Sequence, residues 1–410
     1  MTRYRAAWVV PVDGPPRRDA WVEVHEGRVT AVGTHAETSR AEIDLGAVAL
    51  MPGLVNAHTH LELSCYRDVV PPATTFVSWV EGMMAARRAI PDPADPRILE
   101  GIHAGIAQAE ATGTALVGDI SNTLATVSPL VASRLGGVIF HELIRFNVTA
   151  SDAQRLVGDA WAHLDALCLP ARWRAAVAPH APYSVAPAVL RAVADAMDAR
   201  PVAVTSVHMA EGAEETEFLQ TGGGPWRRFL ERVGSWNPDW QPPATDPVAY
   251  LQQHDVLRPQ TLAVHGVQLA PTDLARLRST GATLVTSPRS NLRTGAGTPP
   301  VAQFYASGVR VAIGTDSLAS TPDLNMFEEL ALLRRLAPEV PAARLLESAT
   351  RCGAEALGFG ATHGTIAPGR SSHLLVVPVP ERVTSVEEFL VADARTGPMR
   401  WLDDPPTGAA

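Results

Sequence analysis

From Val48 onward the chain alternates short apolar runs with amphipathic stretches. The runs 50–58, 115–120, 137–144, 175–180, 202–209, 261–265, 283–287 and 309–316 have strand length and stay apolar almost throughout, as strands buried on both faces do. Between them, 96–111, 151–167, 187–199, 271–279 and 325–336 carry helical spacing. Strands and helices in this alternation predict an α/β fold, a closed TIM-like (β/α)8 barrel whose active site lies at the C-terminal ends of its strands.

The two chain ends read differently. Residues 3–32 hold short alternating strands around turn signals at Asp13-Gly14 and Glu26-Gly27, and 371–377 returns to the same character after Gly364-Thr365-Ile366-Ala367-Pro368-Gly369-Arg370. Both ends are expected to build one small β-sandwich, with 1–49 as its N-terminal part, 50–363 as the barrel, and 364–410 as its C-terminal part and tail. His25 and His35 read as surface histidines of this layer, and the tail around Asp403-Asp404-Pro405-Pro406-Thr407-Gly408 as disordered. Two connections, 61–95 and 210–260, are longer than a barrel needs. Loops of that length at the active face serve as lids or binding walls, or else only cover the barrel.

The barrel pattern makes the polar residues at strand ends informative. His58 and His60 end the first strand two residues apart, so strand geometry turns both to one face. His208 ends the fifth, His265 the sixth and Asp316 the eighth. Three imidazoles and a carboxylate, His58, His60, His208 and Asp316, suit one zinc-like ion with a position open for water, whose pKa the ion lowers to about 7 so that hydroxide forms at neutral pH. Glu211, three residues after His208, suits a proton shuttle, and His265 a hydrogen bond to the water or to the substrate oxygen. His103, His141 and His163 read as structural.

Composition then removes some chemistries. None of the 410 residues is lysine, so the 34 basic side chains are all arginine. Schiff-base, phosphate-loop and carbamylated-lysine mechanisms are thereby excluded. The formal charge of -9, with no basic stripe, argues against nucleic acid and anionic membrane as partners. Cys65, Cys168 and Cys352 are too few and too widely spaced for a disulfide framework, and with no signal peptide or membrane-length apolar run the expected compartment is the cytoplasm.

Five stretches together carry a resemblance: Pro52-Gly53-Leu54-Val55-Asn56-Ala57-His58-Thr59-His60, Ala178-Pro179-His180-Ala181-Pro182-Tyr183-Ser184, His208-Met209-Ala210-Glu211, Ser287-Pro288-Arg289-Ser290-Asn291-Leu292 and Gly314-Thr315-Asp316-Ser317. In this set and order the chain resembles the amidohydrolase superfamily, in its branch of cytosine, guanine and adenosine-type deaminases and triazine chlorohydrolases. The resemblance implies a barrel plus a β-sandwich, one divalent metal, zinc before iron, on His58, His60, His208 and Asp316, and Glu211 and His265 acting around it. Binuclear members bridge two metals with a carbamylated lysine, which this chain lacks, so the mononuclear arrangement is the consistent one. Relatives often carry Ala-Asp where Ser372-His373 stands, away from any catalytic position.

The resemblance also points toward a substrate. A histidine placed like His180 contacts the sugar or ring in purine nucleoside deaminases of this branch. Arg145 ends the third strand and either reaches an anionic or polyhydroxyl part of the substrate or is a surface or helix-capping residue; Trp79 either walls a ring or packs a lid. The form His58-Thr59-His60-Leu61-Glu62-Leu63-Ser64 is similar to deaminases of aminodeoxyfutalosine, an adenine nucleoside carrying a benzoate. Hydrolytic deamination of a 6-aminopurine nucleoside is therefore the leading expectation, with Asp316 moving protons to departing ammonia. Guanine, cytosine or triazine chemistry, including C-Cl cleavage, or another cyclic amidine or amide hydrolysis, is the alternative, and a barrel that has lost its chemistry stands well behind. Barrel enzymes of this kind are often homodimers.

Overall fold

The computed structural model describes residues 1–34, 43–394 and 399–404; His35 and the tail beyond Asp404 lie outside them. Two four-stranded parallel sheets make the barrel. One is Leu54–Thr59, Thr114–Ser121, Gly136–Leu143 and Trp173–Pro179; the other is Thr205–Met209, Thr261–His265, Thr283–Thr286 and Arg310–Ile313. Hydrogen bonds close the sheets into a ring at two seams. At one, the His208 amide donates to the His180 carbonyl at 2.8 Å and the Thr205 hydroxyl to the Val177 carbonyl at 2.8 Å. At the other, the amides of Thr315 and Asp316 both donate to the His58 carbonyl at 3.1 Å. Both seams thus end on residues of the candidate site.

Strands from both chain ends form a separate sheet. Its order is Arg400–Trp401, Leu374–Pro378, Val48–Pro52, Thr2–Val9, Arg17–His25 and Arg28–Thr34, with Ile43–Asp44 pairing Thr2–Val9. The strand expected over 50–58 is therefore two strands in two sheets. Val48–Pro52 runs antiparallel to Leu374–Pro378, and the chain then passes through Gly53 into Leu54–Thr59 of the barrel. A Cβ at Gly53 would come within 2.5 Å of the Ala115 Cβ and 2.9 Å of the Trp401 ring, so only glycine fits where the sheets meet. Both strands are buried at every position, which is why one continuous apolar run conceals the break.

The two long connections are helical rather than loose. The first contains the helix Phe76–Ala89, whose N-cap Thr75 hydroxyl accepts from the Ser78 amide at 3.3 Å. The second contains Ala213–Thr221, Gly224–Arg232 and Pro247–Gln253. Aromatic stacking fastens them down: Trp226 lies 3.8 Å from Tyr183 between ring centres, and Trp240 4.7 Å from Phe218. Among the described residues no helix is long and apolar enough to cross a membrane.

Candidate active site

His58, His60, His208, His265 and Asp316 come from four strand ends and meet at the barrel mouth. The Nε2 atoms of His60 and His208 lie 3.3 Å apart, and Asp316 Oδ1 is 3.7 Å from His60 Nε2 and 4.0 Å from His58 Nε2. Donors that share one ion at about 2.0–2.2 Å stand at such separations. His58 is fully buried, yet neither of its ring nitrogens has a hydrogen-bond partner among the described residues. A buried imidazole left so is costly unless a further group satisfies it, and the donor set fits a divalent cation.

The surrounding chain orients these donors. His208 Nδ1 donates to the His180 carbonyl at 2.9 Å, which leaves the Nε2 lone pair facing His60. Asp316 Oδ2 accepts from Ser290 Oγ at 2.5 Å and Ser320 Oγ at 3.1 Å, so Oδ1 is the oxygen left for the cluster. Asn291 Nδ2 stands 3.0 Å from His265 Nδ1, and His265 Nε2 lies 3.5 Å from Glu211 Oε2. Ala210, His265 and Asp316 all adopt left-handed backbone, with φ of 50°, 78° and 61°. Such strain in side-chain-bearing residues gathers where a site imposes direction on its groups. Gly314 completes the fit, because a Cβ there would lie 2.6 Å from the His58 carbonyl oxygen.

Burial sets the charge states. It lowers His58 and His265 well below the ordinary histidine value, brings His60 to about 3 and His208 to about 4, and the neighbouring imidazoles push the same way. Neutral imidazole is the form that ligates metal. Burial also pushes Glu211 well above the usual carboxylate range, reinforced by Asp316 and Glu215. A protonated Glu211 beside His265 has a proton to give.

A cavity of about 390 Å³ opens above this floor. His180 and Trp79 line it, as does Arg145, so the three residues expected to touch substrate share one space with His60, His208, His265 and Asp316. His180 Nδ1 lies 2.5 Å from Ser184 Oγ, and burial brings the ring's pKa to about 4. Trp79 is buried and stacks on Phe76 at 6.5 Å, so it packs within the helix Phe76–Ala89 and walls the cavity at once. Arg145 is exposed at the mouth beside Ile144 and Phe146 and has no ion-pair partner among the described residues. His25, His103 and His163 are exposed, and the half-buried His141 faces His163 at 6.3 Å, all away from the cavity lining.

Sequence reasoning missed several residues of the site. Ser290 and Asn291 stood inside a quoted motif without a role, and their partners are 26 positions away in sequence. Glu142, Asn122 and Arg87 also line the cavity. Glu142 lies within the apolar run 137–144, and a lone carboxyl in a run due to be buried was the signal available.

Residues 49–395 match the family model described as amidohydrolase family. The chain is 31% identical over 358 residues to an aminodeoxyfutalosine deaminase from Deinococcus radiodurans, covering 81% of this chain and 80% of the relative. It is 31% identical over 386 residues to a 5-methylthioadenosine/S-adenosylhomocysteine deaminase from Nitratidesulfovibrio vulgaris, covering 88% and 79%. Among solved structures, an adenosine deaminase from Xanthomonas campestris with zinc bound superposes with a TM-score of 0.77 at 26% identity, over 95% of this chain and 88% of that one.

Proposed function

The chain belongs to the amidohydrolase family, and from that membership we propose that it is a zinc-dependent hydrolytic deaminase of 6-aminopurine nucleosides, holding one zinc ion per chain. The observation that carries this reading is the convergence of His58, His60, His208 and Asp316 with ligand-like separations of 3.3–4.0 Å. Zinc in the adenosine deaminase from Xanthomonas campestris supports the choice of ion. A divalent ion at this place, when bound, supplies the Lewis acidity that lets water ionise near neutral pH.

The protein's own groups do the rest. Water adds at the amino-bearing ring carbon, and Glu211 gives its proton to the adjacent ring nitrogen. His265, held by Asn291, hydrogen-bonds the oxygen that is being added. Asp316 takes one proton from the added water and passes it to the amino group, which leaves as ammonia, and the other water proton returns to Glu211 as the carbon becomes a carbonyl. His180 and Trp79 flank the space next to this centre and serve the purine and its sugar.

The mouth favours one substituent. Ile144 and Phe146 offer apolar surface, and Arg145 beside them offers a cation without a protein partner among the described residues. An aromatic carboxylate on the nucleoside matches both, so aminodeoxyfutalosine is the first-choice substrate, in line with the relative from Deinococcus radiodurans.

The test is zinc content together with ammonia release from aminodeoxyfutalosine, 5-methylthioadenosine, adenosine, guanine, cytosine and an aminotriazine. One zinc per chain and the highest kcat/KM on aminodeoxyfutalosine are expected. Higher kcat/KM on 5-methylthioadenosine would move the substrate toward that of the Nitratidesulfovibrio relative. No ammonia from any adenine nucleoside would overturn the reading.

A further inference from the structure

Glu142 is a buried carboxyl in the cavity wall that the deamination just described does not use. Its Oε1 lies 3.6 Å from His208 Nδ1, and its Oε2 accepts from Asn122 Nδ2 at 2.8 Å. The chain of contacts continues behind it. Arg87 Nη1 donates to Asn122 Oδ1 at 2.9 Å, and Arg87 Nη2 faces Glu62 Oε1 at 3.5 Å. Glu62 is itself fixed, its Oε2 accepting from Ser121 Oγ at 2.6 Å and from the Thr123 amide at 3.1 Å. Donor faces acceptor at each link, so Glu142 is gripped through one oxygen while the other is turned toward His208.

Glu142, His180 and His208 also lie close enough together to suggest a second cation site. The hydrogen bonds argue against it. His208 Nδ1, the ring nitrogen that faces Glu142, carries the proton it donates to the His180 carbonyl. A nitrogen holding a proton offers no lone pair to a cation. What Glu142 presents to His208 is a negative pole beside an N–H.

We propose that Glu142 is a positioning residue for His208: together with the His180 carbonyl it holds the tautomer protonated at Nδ1, fixes the ring plane, and makes Nε2 a stronger zinc ligand. This rests on the reading of His208 as a ligand given above. Outer carboxylates behind metal-bound histidines act in this way, and their loss typically weakens metal binding about 10- to 100-fold.

The experiment is zinc affinity of the full chain by chelator competition, for wild type, Glu142→Gln, Glu142→Asp and Asn122→Ala, with the melting temperature of each metal-free chain measured alongside. Glu142→Gln is expected to bind zinc about 10- to 100-fold more weakly with an unchanged metal-free Tm. Glu142→Asp should recover part of the loss, and Asn122→Ala should show a smaller loss, since it loosens the carboxylate without removing it. Wild-type zinc affinity in Glu142→Gln overturns the proposal; if that variant fails to fold, wild-type affinity in Asn122→Ala does so. The deaminase reading fails separately: a wild-type chain that binds zinc and releases no ammonia refutes that reading and leaves Glu142 in its place.

Discussion

The Ser290 hydroxyl donates to Asp316 Oδ2 at 2.5 Å, while Asp316 Oδ1 faces His60 Nε2 at 3.7 Å. One oxygen is tethered so that the other is presented to the cluster. Ser320 shares the tether at 3.1 Å, so Asp316 keeps one partner when Ser290 is removed. Ser290→Ala is therefore expected to weaken zinc binding about tenfold, at the low end for an outer-shell partner, and Ser290→Ala with Ser320→Ala to weaken it further. Chelator competition on the purified variants checks this; equal affinity in the double variant would show that the backbone alone aims Asp316.

Glu211 lies 3.5 Å from His265 Nε2 in a buried setting, and among the described residues no hydrogen bond ties its carboxyl to a cluster imidazole. Removing its proton should thus leave the metal donors alone. Glu211→Gln is expected to retain zinc and to lose turnover by at least ~10²-fold, the scale of a positioned acid–base group. Zinc content by elemental analysis and kcat on an adenine nucleoside decide it. Turnover within a few-fold of wild type would remove Glu211 from proton transfer.

Arg145 tests the substrate assignment without touching the centre. A charge-assisted hydrogen bond contributes about 1.5–3 kcal/mol, or roughly 10- to 100-fold in binding. Arg145→Met is expected to raise KM for aminodeoxyfutalosine by about that factor and to leave adenosine within about twofold. The comparison uses two substrates on one enzyme, so a general loss of folding would appear in both. Parallel losses on both substrates in a variant with the wild-type melting temperature would take Arg145 out of carboxylate recognition.

These residues differ in how far the sequence exposed them. His58 and His60 stood out because a strand turns positions two apart to the same face, and that period is local. Asp316 was legible as a strand-end acid although its backbone there is left-handed at φ 61°, a strain that no spacing announces. The break at Gly53 was hidden, because two sheets that both bury their strands write the same apolar run. Glu142, Asn122 and Arg87 were hidden for another reason: their partnership links the strand Gly136–Leu143 to the helix Phe76–Ala89, and contacts between distant segments leave no period. The connection 210–260 read as a lid, a binding wall or a cover of the barrel, but its helices and the Trp226–Tyr183 stack depend on packing partners outside the segment.

Glu329 yields a prediction of the opposite kind, on stability against pH. It is fully buried in the helix Met326–Leu336; Oε2 accepts from the Arg289 amide at 3.3 Å, and Oε1 has no hydrogen-bond partner among the described residues. The Arg289 guanidinium is committed to Asp323 through bonds of 2.7 and 2.8 Å, so it offsets only part of the cost of a second buried charge. Burial accordingly pushes Glu329 from its ordinary 4.5 up to about 8, with Arg289 drawing it back. Between those values the unfolded chain has lost this proton and the folded chain keeps it, so the unfolded state binds fewer protons and stability falls as pH rises. The contribution is complete below about 4.5 and gone above about 8, with a slope of at most about 1.4 kcal/mol per pH unit in between. Glu329→Gln keeps the shape without the titration. The stability of wild type minus that of Glu329→Gln, from urea midpoints at pH 5, 6 and 7, should decline steadily, while pH effects on the metal centre cancel because both proteins share it. A constant difference across that range would mean that Glu329 is ionised in the folded state and that Arg289 neutralises it after all.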